Sequence, residues 1–251
     1  MIALHPLATL GEILPGDDLA RLLAEAIRTA GWLPERNDVL MVTQKIVSKA
    51  EGRFVELARV TPSARAIELA AVTRKDARFV ELVLAESTAV VRTAPDVLIT
   101  RHRLGHVMAN SGIDRSNLGP GDQERVLLLP VDPDASAQHL RAGLREYWPE
   151  PPAVVISDSF GRPWRLGVIN VAIGASGLPA LIDRRGETDR NGRRLEVTQV
   201  ALGDMIASAG GLLTGEGAEG VPAVLVRGLR WAAEDRPAAA LLRPLDQDLF
   251  R

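Results

Sequence analysis

Along residues 19–30 the apolar positions Leu19, Leu22, Leu23, Ala26 and Ile27 recur at helical spacing, behind a capping pair, Asp17-Asp18, and ahead of a stop at Gly31. The chain before them reads as extended. Residues 38–43, Asp-Val-Leu-Met-Val-Thr, are a short apolar run bounded by turn residues, which predicts a buried strand. That strand delivers the chain into Gln44-Lys-Ile-Val-Ser-Lys49. Pro62-Ser63 opens a second helix through Thr73, and 77–86 predicts a third. Two strands follow, 89–93 and 97–101, turned at Pro95-Asp96. Residues 126–130 predict another strand, and 136–146 a helix with Ala137, Leu140 and Leu144 on one face. Beyond a candidate linker, Pro149-Glu-Pro-Pro152, come a strand at 153–156 and an apolar, Gly-rich stretch at 167–182. A charged loop at 183–194, a helix at 198–213 and a final core strand at 222–226 complete the pattern.

Helices and strands mixed along the whole length predict an α/β or α+β protein with a mixed sheet, not a bundle or a sandwich. No repeat and no low-complexity tract interrupts the chain, so residues 1–251 read as one folded module. The 251 residues, 46% hydrophobic and 25% charged, are enough for an ordinary core and set disorder aside. Thirty basic against 32 acidic residues give a net charge of −2, which removes the electrostatic case for a nucleic-acid or basic membrane binder. There is no cysteine, which excludes disulfides, thiolate metal sites and a cysteine nucleophile. With no charged n-region ahead of Arg21 and no apolar run near the roughly 18 residues of a membrane span, the expected compartment is the cytoplasm.

Five stretches carry candidate chemistry. Gly215-Glu-Gly-Ala-Glu-Gly220 fits the G-x-G-x-x-G spelling, but a helix runs in and a strand runs out. A dinucleotide turn needs the reverse order, so the motif reads as a flexible loop, able to approach a phosphate closely and bearing Glu216 and Glu219. Asn110-Ser-Gly-Ile-Asp-Arg-Ser-Asn117 is denser in short polar groups than a turn requires; Asp114 and Asn117 suit a hard cation and a nucleotide, while a bland loop remains open. Ser157-Asp-Ser-Phe-Gly-Arg-Pro-Trp164 leaves a buried strand where open α/β sheets place ligands, and Asp158 beside Ser159 offers oxygen ligands for Mg²⁺ or Mn²⁺, or else a turn. Lys45 and Lys49, around Ser48, are point charges for a phosphate or ordinary surface lysines. Residues 183–194, with five arginines against three acids, form an anion clamp or a solvated loop. His102 and His106 read as structural or solvent-facing. There is no G-x-x-x-x-G-K-[ST], H-E-x-x-H or G-x-S-x-G motif.

In their order along the chain, several stretches are similar to the coenzyme F420-0:L-glutamate ligase family. They are Gly16-Asp-Asp-Leu19, Gln44 to Arg53, Asn110 to Asn117, Ser157 to Arg165 with Val171-Ala-Ile-Gly174, 183–194, and Gly215-Glu216 ahead of Val221-Pro-Ala-Val and Arg227-Gly228. The likeness covers nearly the full chain. It implies a two-lobed, interwoven homodimer and a GTP-dependent ligase that joins L-glutamate to F420-0 through an acyl phosphate. The cations it implies are one or two Mg²⁺ or Mn²⁺ ions, with K⁺ as a further candidate.

Residue by residue, the resemblance assigns Asp114, Asp158, Ser159 and Glu216 to metal. It assigns Leu10, Gly11, Glu12, Ile13, Ser48, Lys49, Asn117 and the loop Thr214, Gly215, Glu216, Gly217, Ala218, Glu219, Gly220 and Val221 to the nucleotide. Asp158 and Lys49 become the catalytic candidates. The chain departs from the family at Thr9-Leu10-Gly11, where the pattern is Gly-x-Pro, and at Ser159, where some members have threonine. Arg162, Arg165 and the loop arginines are candidate clamps for the anionic acceptor. The alternatives are a glutamyl ligase for another carboxylate acceptor and a GTP-binding module without turnover.

Overall fold

A computed structural model describes residues 1–119 and 124–248. In chain order its elements are β1 (Ala3–Leu7), α1 (Leu19–Thr29), β2 (Val39–Thr43), α2 (Gln44–Ala50), β3 (Phe54–Glu56), α3 (Ala64–Thr73), α4 (Ala77–Ala85), β4 (Ser87–Ala94), β5 (Val97–His102) and β6 (Val107–Ala109). Then come β7 (Arg125–Leu127), α5 (Pro133–Leu144), β8 (Ala153–Arg162), β9 (Arg165–Ser176), β10 (Ile182–Asp183), β11 (Gln199–Val200), α6 (Leu202–Thr214) and β12 (Ala223–Arg227). The expected mixed α/β architecture is the one observed.

The main sheet has the order β1-β12-β2-β8-β9; β2 and β8 are parallel and the other pairs antiparallel. Its central strands are apolar without alternation because both faces are covered. On one face Leu40, Val42, Val154 and Ile156 meet Leu23 and Ile27 of α1 and Ala137, Leu140 and Leu144 of α5. On the other, Val39, Met41 and Val155 meet Ile206 and Ala207 of α6. Gly210 lets α6 come this close, since a Cβ there would collide with Met41. A second core lies between α3, α4 and the small strand pairs, around Leu57, Leu69, Phe79, Val80, Val83, Leu98, Ile113 and Val126. Among the described residues no helix is long and apolar enough to cross a membrane.

Four features depart from the sequence pattern, and two of them, at α2 and β8, border the site. Helix α2 begins directly at Gln44, with no loop after β2; its seven residues are too few to display a period. Strand β8 does not end at Ile156 but runs on to Arg162, because Ser157 to Gly161 pair across a hairpin with Val168 to Ala172 of β9. Polar residues there looked like a loop only because their partner strand is remote from local patterning. Helix α5 starts at Pro133, capped by Asp132, earlier than apolar spacing alone suggests. Similarly, α6 begins at Leu202 because Gln199–Val200 pairs with β10 first. Residues 149–152 connect α5 to β8, two elements that share one core.

Candidate functional site

The parallel strands β2 and β8 end side by side, with Thr43 opposite Ser157. A cavity of about 650 Å³ opens there, where open sheets place ligands. Its walls come from five separated parts of the chain. Leu10, Gly11, Glu12 and Ile13 form one side, and Gln44, Lys45 and Lys49 of α2 the next. Asp114, Ser116 and Asn117 form the third, and Asp158, Ser159 and Asn170 stand opposite the loop of Thr214, Gly215, Glu216, Gly217, Ala218, Gly220 and Val221. Most of the residues singled out from sequence therefore share one cavity.

The octet around Asp114 owes its density of polar groups to backbone demands. Asn110, Ser111 and Gly112 all take positive φ (53°, 51° and 66°), a run that costs energy for the two non-glycine residues. The buried Ser111 hydroxyl lies 2.6 Å from Ser87 Oγ and 2.7 Å from Thr100 Oγ1, which offsets that cost. The chain then enters a bridge in which Asp114 N donates to Leu127 O and Leu127 N to Asp114 O (2.9 and 3.0 Å). The Asp114 carboxylate accepts from Gln44 Nε2 at 2.5 Å and lies 3.6 Å from Lys45 Nζ. Lys45 also donates to Ser116 O at 3.2 Å. Burial pushes the Asp114 carboxyl above its ordinary pKa, against the opposing pull of Lys45 and Gln44.

Asp158 is the most perturbed acid of the cavity. Burial, and next to it the charge of Asp114, push its pKa up to about 8, with Glu216 adding in the same direction. Acidic groups thus crowd a shielded space that disfavours their charged forms. Among the described residues no three His, Cys, Asp or Glu side chains are gathered closely enough to hold a metal ion by themselves. Asp114, Asp158 and Ser159 line the cavity with oxygen atoms, the donor type that hard cations take.

Other candidates serve the walls themselves. Lys49, 5% exposed, is ion-paired with the Glu12 carboxylate instead of standing free for a phosphate. Ser48 is fully buried, off the cavity wall, and donates to Gln44 Oε1 at 3.0 Å. Glu219 also turns away from the cavity: its carboxylate accepts from Gly217 N at 2.8 Å and lies against Gly215. Asn117 Nδ2 reaches Gly217 O at 3.3 Å and ties the Asp114 segment to the loop after α6. The Thr214 hydroxyl is buried in the cavity wall without a hydrogen-bond partner among the described residues.

The arginines expected to clamp an acceptor lie elsewhere. Arg162 donates to Leu166 O on the β8–β9 hairpin, and Arg184 and Arg185 are paired with Glu187 and Asp183 of their own loop. None of the three lines the cavity. His102 and His106 are both buried, so their role is structural, not solvent-facing. Sequence reasoning missed Gln44 and Asn170. Gln44 was legible only as the residue four before Ser48, and Asn170 as a lone amide in the apolar run of β9.

A sheet-end cavity lined by acids, lysines and a glycine-rich loop places the chain among α/β proteins with a polar ligand cavity at the strand ends. The family model for F420-0:gamma-glutamyl ligase matches residues 8–228. A coenzyme F420:L-glutamate ligase of Methanopyrus kandleri is 46% identical over all of this chain and 98% of its own length. Proteins of the same name from Methanothermobacter thermautotrophicus and Archaeoglobus fulgidus are each 42% identical. The first covers 94% of this chain and 93% of its own length, the second 100% and 96%. The chain belongs to the F420-0:gamma-glutamyl ligase family.

Proposed function

We propose that this protein joins L-glutamate to coenzyme F420-0 by an amide bond, with GTP as the activating co-substrate and Mg²⁺ or Mn²⁺ in the cavity. The observation that carries the reading is the convergence of Asp114, Asp158 and Glu216 with Lys45 and Lys49 on one cavity. Family membership and the relatives' names supply the acceptor and the amino acid.

Joining a carboxylate to an amine in water is uphill, so the carboxylate is activated first. Its oxygen attacks the γ-phosphorus, the bond to the β-phosphate oxygen breaks, and GDP leaves. The glutamate amine then attacks the acyl carbon, loses a proton, and expels phosphate that keeps one former carboxylate oxygen. Asp114, Asp158, Ser159 and Glu216 would hold the cation, which supplies charge neutralisation at the transferring phosphoryl group. Lys45 and Lys49 stand where phosphate oxygens would enter; a phosphate at Lys49 replaces the half-exposed Glu12 carboxylate. The loop 214–221 offers backbone close to the nucleotide because its glycines carry no Cβ.

A homodimer fits the same reading. Beyond Ser157 the β8–β9 ribbon has no β2 partner, and it exposes Trp164, Leu166 and Val168, an apolar stripe for a second copy. The test of the chemistry is isotopic: F420-0 labelled with ¹⁸O in its carboxylate, incubated with GTP, glutamate and Mn²⁺, yields glutamylated product and one ¹⁸O in the released phosphate. Product without label in phosphate overturns the acyl-phosphate route.

A further inference from the structure

Asp114 reaches the cavity from a loop, yet its carboxylate is oriented by a helix 70 residues away in sequence. Gln44 and Ser48 lie four apart on α2, hence on one face. Ser48 Oγ donates to Gln44 Oε1 at 3.0 Å, and Gln44 Nε2 donates to Asp114 Oδ2 at 2.5 Å. Gln44 is 3% exposed and Ser48 fully buried, so the contact between them is shielded from bulk water, while the one to Asp114 is partly so.

The chemistry of each group fixes the direction of the chain. A carboxylate only accepts, so it must meet the amide nitrogen; the amide oxygen must then find a donor, and the Ser48 hydroxyl is that donor. Without Ser48 the amide loses the contact that makes one of its two flips correct. Without Gln44 the Oδ2 side of Asp114 is unheld, leaving Lys45, 3.6 Å from Oδ1, as its other polar neighbour. One lone pair of Oδ2 is thereby occupied, and the remaining lone pairs of the carboxylate are left for a ligand.

We infer that Gln44, oriented by Ser48, is a positioning residue that fixes the Asp114 carboxylate for a divalent cation. This rests on the proposed cation site. Groups that orient a metal ligand from behind change metal affinity by about 10–100-fold when removed. Gln44→Met keeps the side chain's length and apolar packing while deleting both hydrogen bonds. Ser48→Ala deletes only the contact that orients the amide.

The experiment titrates Mn²⁺ calorimetrically into the wild type, Gln44→Met and Ser48→Ala, with thermal unfolding of each without metal. The expected result is a Kd for Mn²⁺ raised about 10-fold or more in Gln44→Met and by less in Ser48→Ala, with midpoints close to wild type. Unchanged Mn²⁺ affinity in both variants overturns the inference, whatever happens to their midpoints, since a merely structural role moves stability and not affinity. Should Gln44→Met fail to fold, Ser48→Ala carries the same test. Failure of the wild type itself to bind Mn²⁺ overturns the cation site, and the inference with it; that outcome is distinct from a wild type that binds and variants that bind equally well.

Discussion

Gly174 of β9 lies directly against Pro133 at the first turn of α5, so closely that a Cβ on Gly174 would collide with the Pro133 carbonyl. Asp134, the next residue of the helix, accepts from Ala175 N at 2.8 Å and from Ala238 N and Ala239 N at 2.8 and 3.0 Å. One helix start thus fastens the edge of the sheet and the C-terminal segment. Because the obstacle is backbone and cannot rotate aside, Gly174→Ala should cost about 2–3 kcal/mol, at the upper end of ordinary overpacking. Urea unfolding of the variant measures it; a loss below about 0.5 kcal/mol would show that α5 shifts freely on the strand.

Gly215 ends α6 with φ 63° and ψ −173°, a conformation reserved for glycine, and a Cβ there would run into the Glu219 carboxyl. Gly215→Ala should therefore displace the loop that borders the cavity while leaving the helix intact. The expected outcome is a KM for GTP raised about tenfold, or 1.4 kcal/mol, with a smaller change in stability. Steady-state kinetics at saturating glutamate and F420-0 check it.

His106 is held neutral. Burial, and then the neighbouring His102, lower its pKa from 6.5 to about 4, and its ring packs edge-on against Phe160 at 5.5 Å. Between those two values the unfolded chain binds a proton that the folded chain refuses, so stability rises with pH across this window and falls as the medium is acidified through it. The full effect is about 3 kcal/mol between pH 6.5 and 4. His106→Leu should remove that component. The difference between wild-type and variant denaturation curves isolates it from carboxylates that titrate nearby; parallel curves from pH 7 to 4 would refute it.

Much of the fold was legible because its signals are local. Asp18, Ser63 and Asp76 accept from the backbone N–H groups of α1, α3 and α4, and these helices begin where the caps stand. The uninterrupted apolar run of β2 is central, and the residues of 97–101 do pair with those of β4. The site was legible as a set of residues but not as a set of partnerships. Asp114 and Asp158 face one cavity, as their residue types suggested, yet the partner of Lys49 is Glu12, 37 residues away, and that of Asp114 is Gln44, 70 residues away. Such pairs depend on how β2, α2 and the 110–117 turn converge, a long-range fact without local periodicity. The polar half of β8 was misread for the same reason: a hairpin partner, not its own pattern, makes it a strand.

The central claim is that the acidic cavity at the ends of β2 and β8 is the centre of glutamyl transfer, with Asp158 indispensable to it. The most direct measurement follows F420-0 by mass spectrometry in the presence of GTP, L-glutamate and Mn²⁺, for the wild type and for Asp158→Asn. The account predicts that the wild type adds a glutamyl unit and releases GDP. It predicts that Asp158→Asn, folded and about as stable without metal because burial already holds that carboxyl mostly protonated near neutral pH and the amide has the same shape, is slower by about 10³-fold or more. A folded wild type that leaves F420-0 unchanged, or an Asp158→Asn variant that ligates at a near-normal rate, would contradict it.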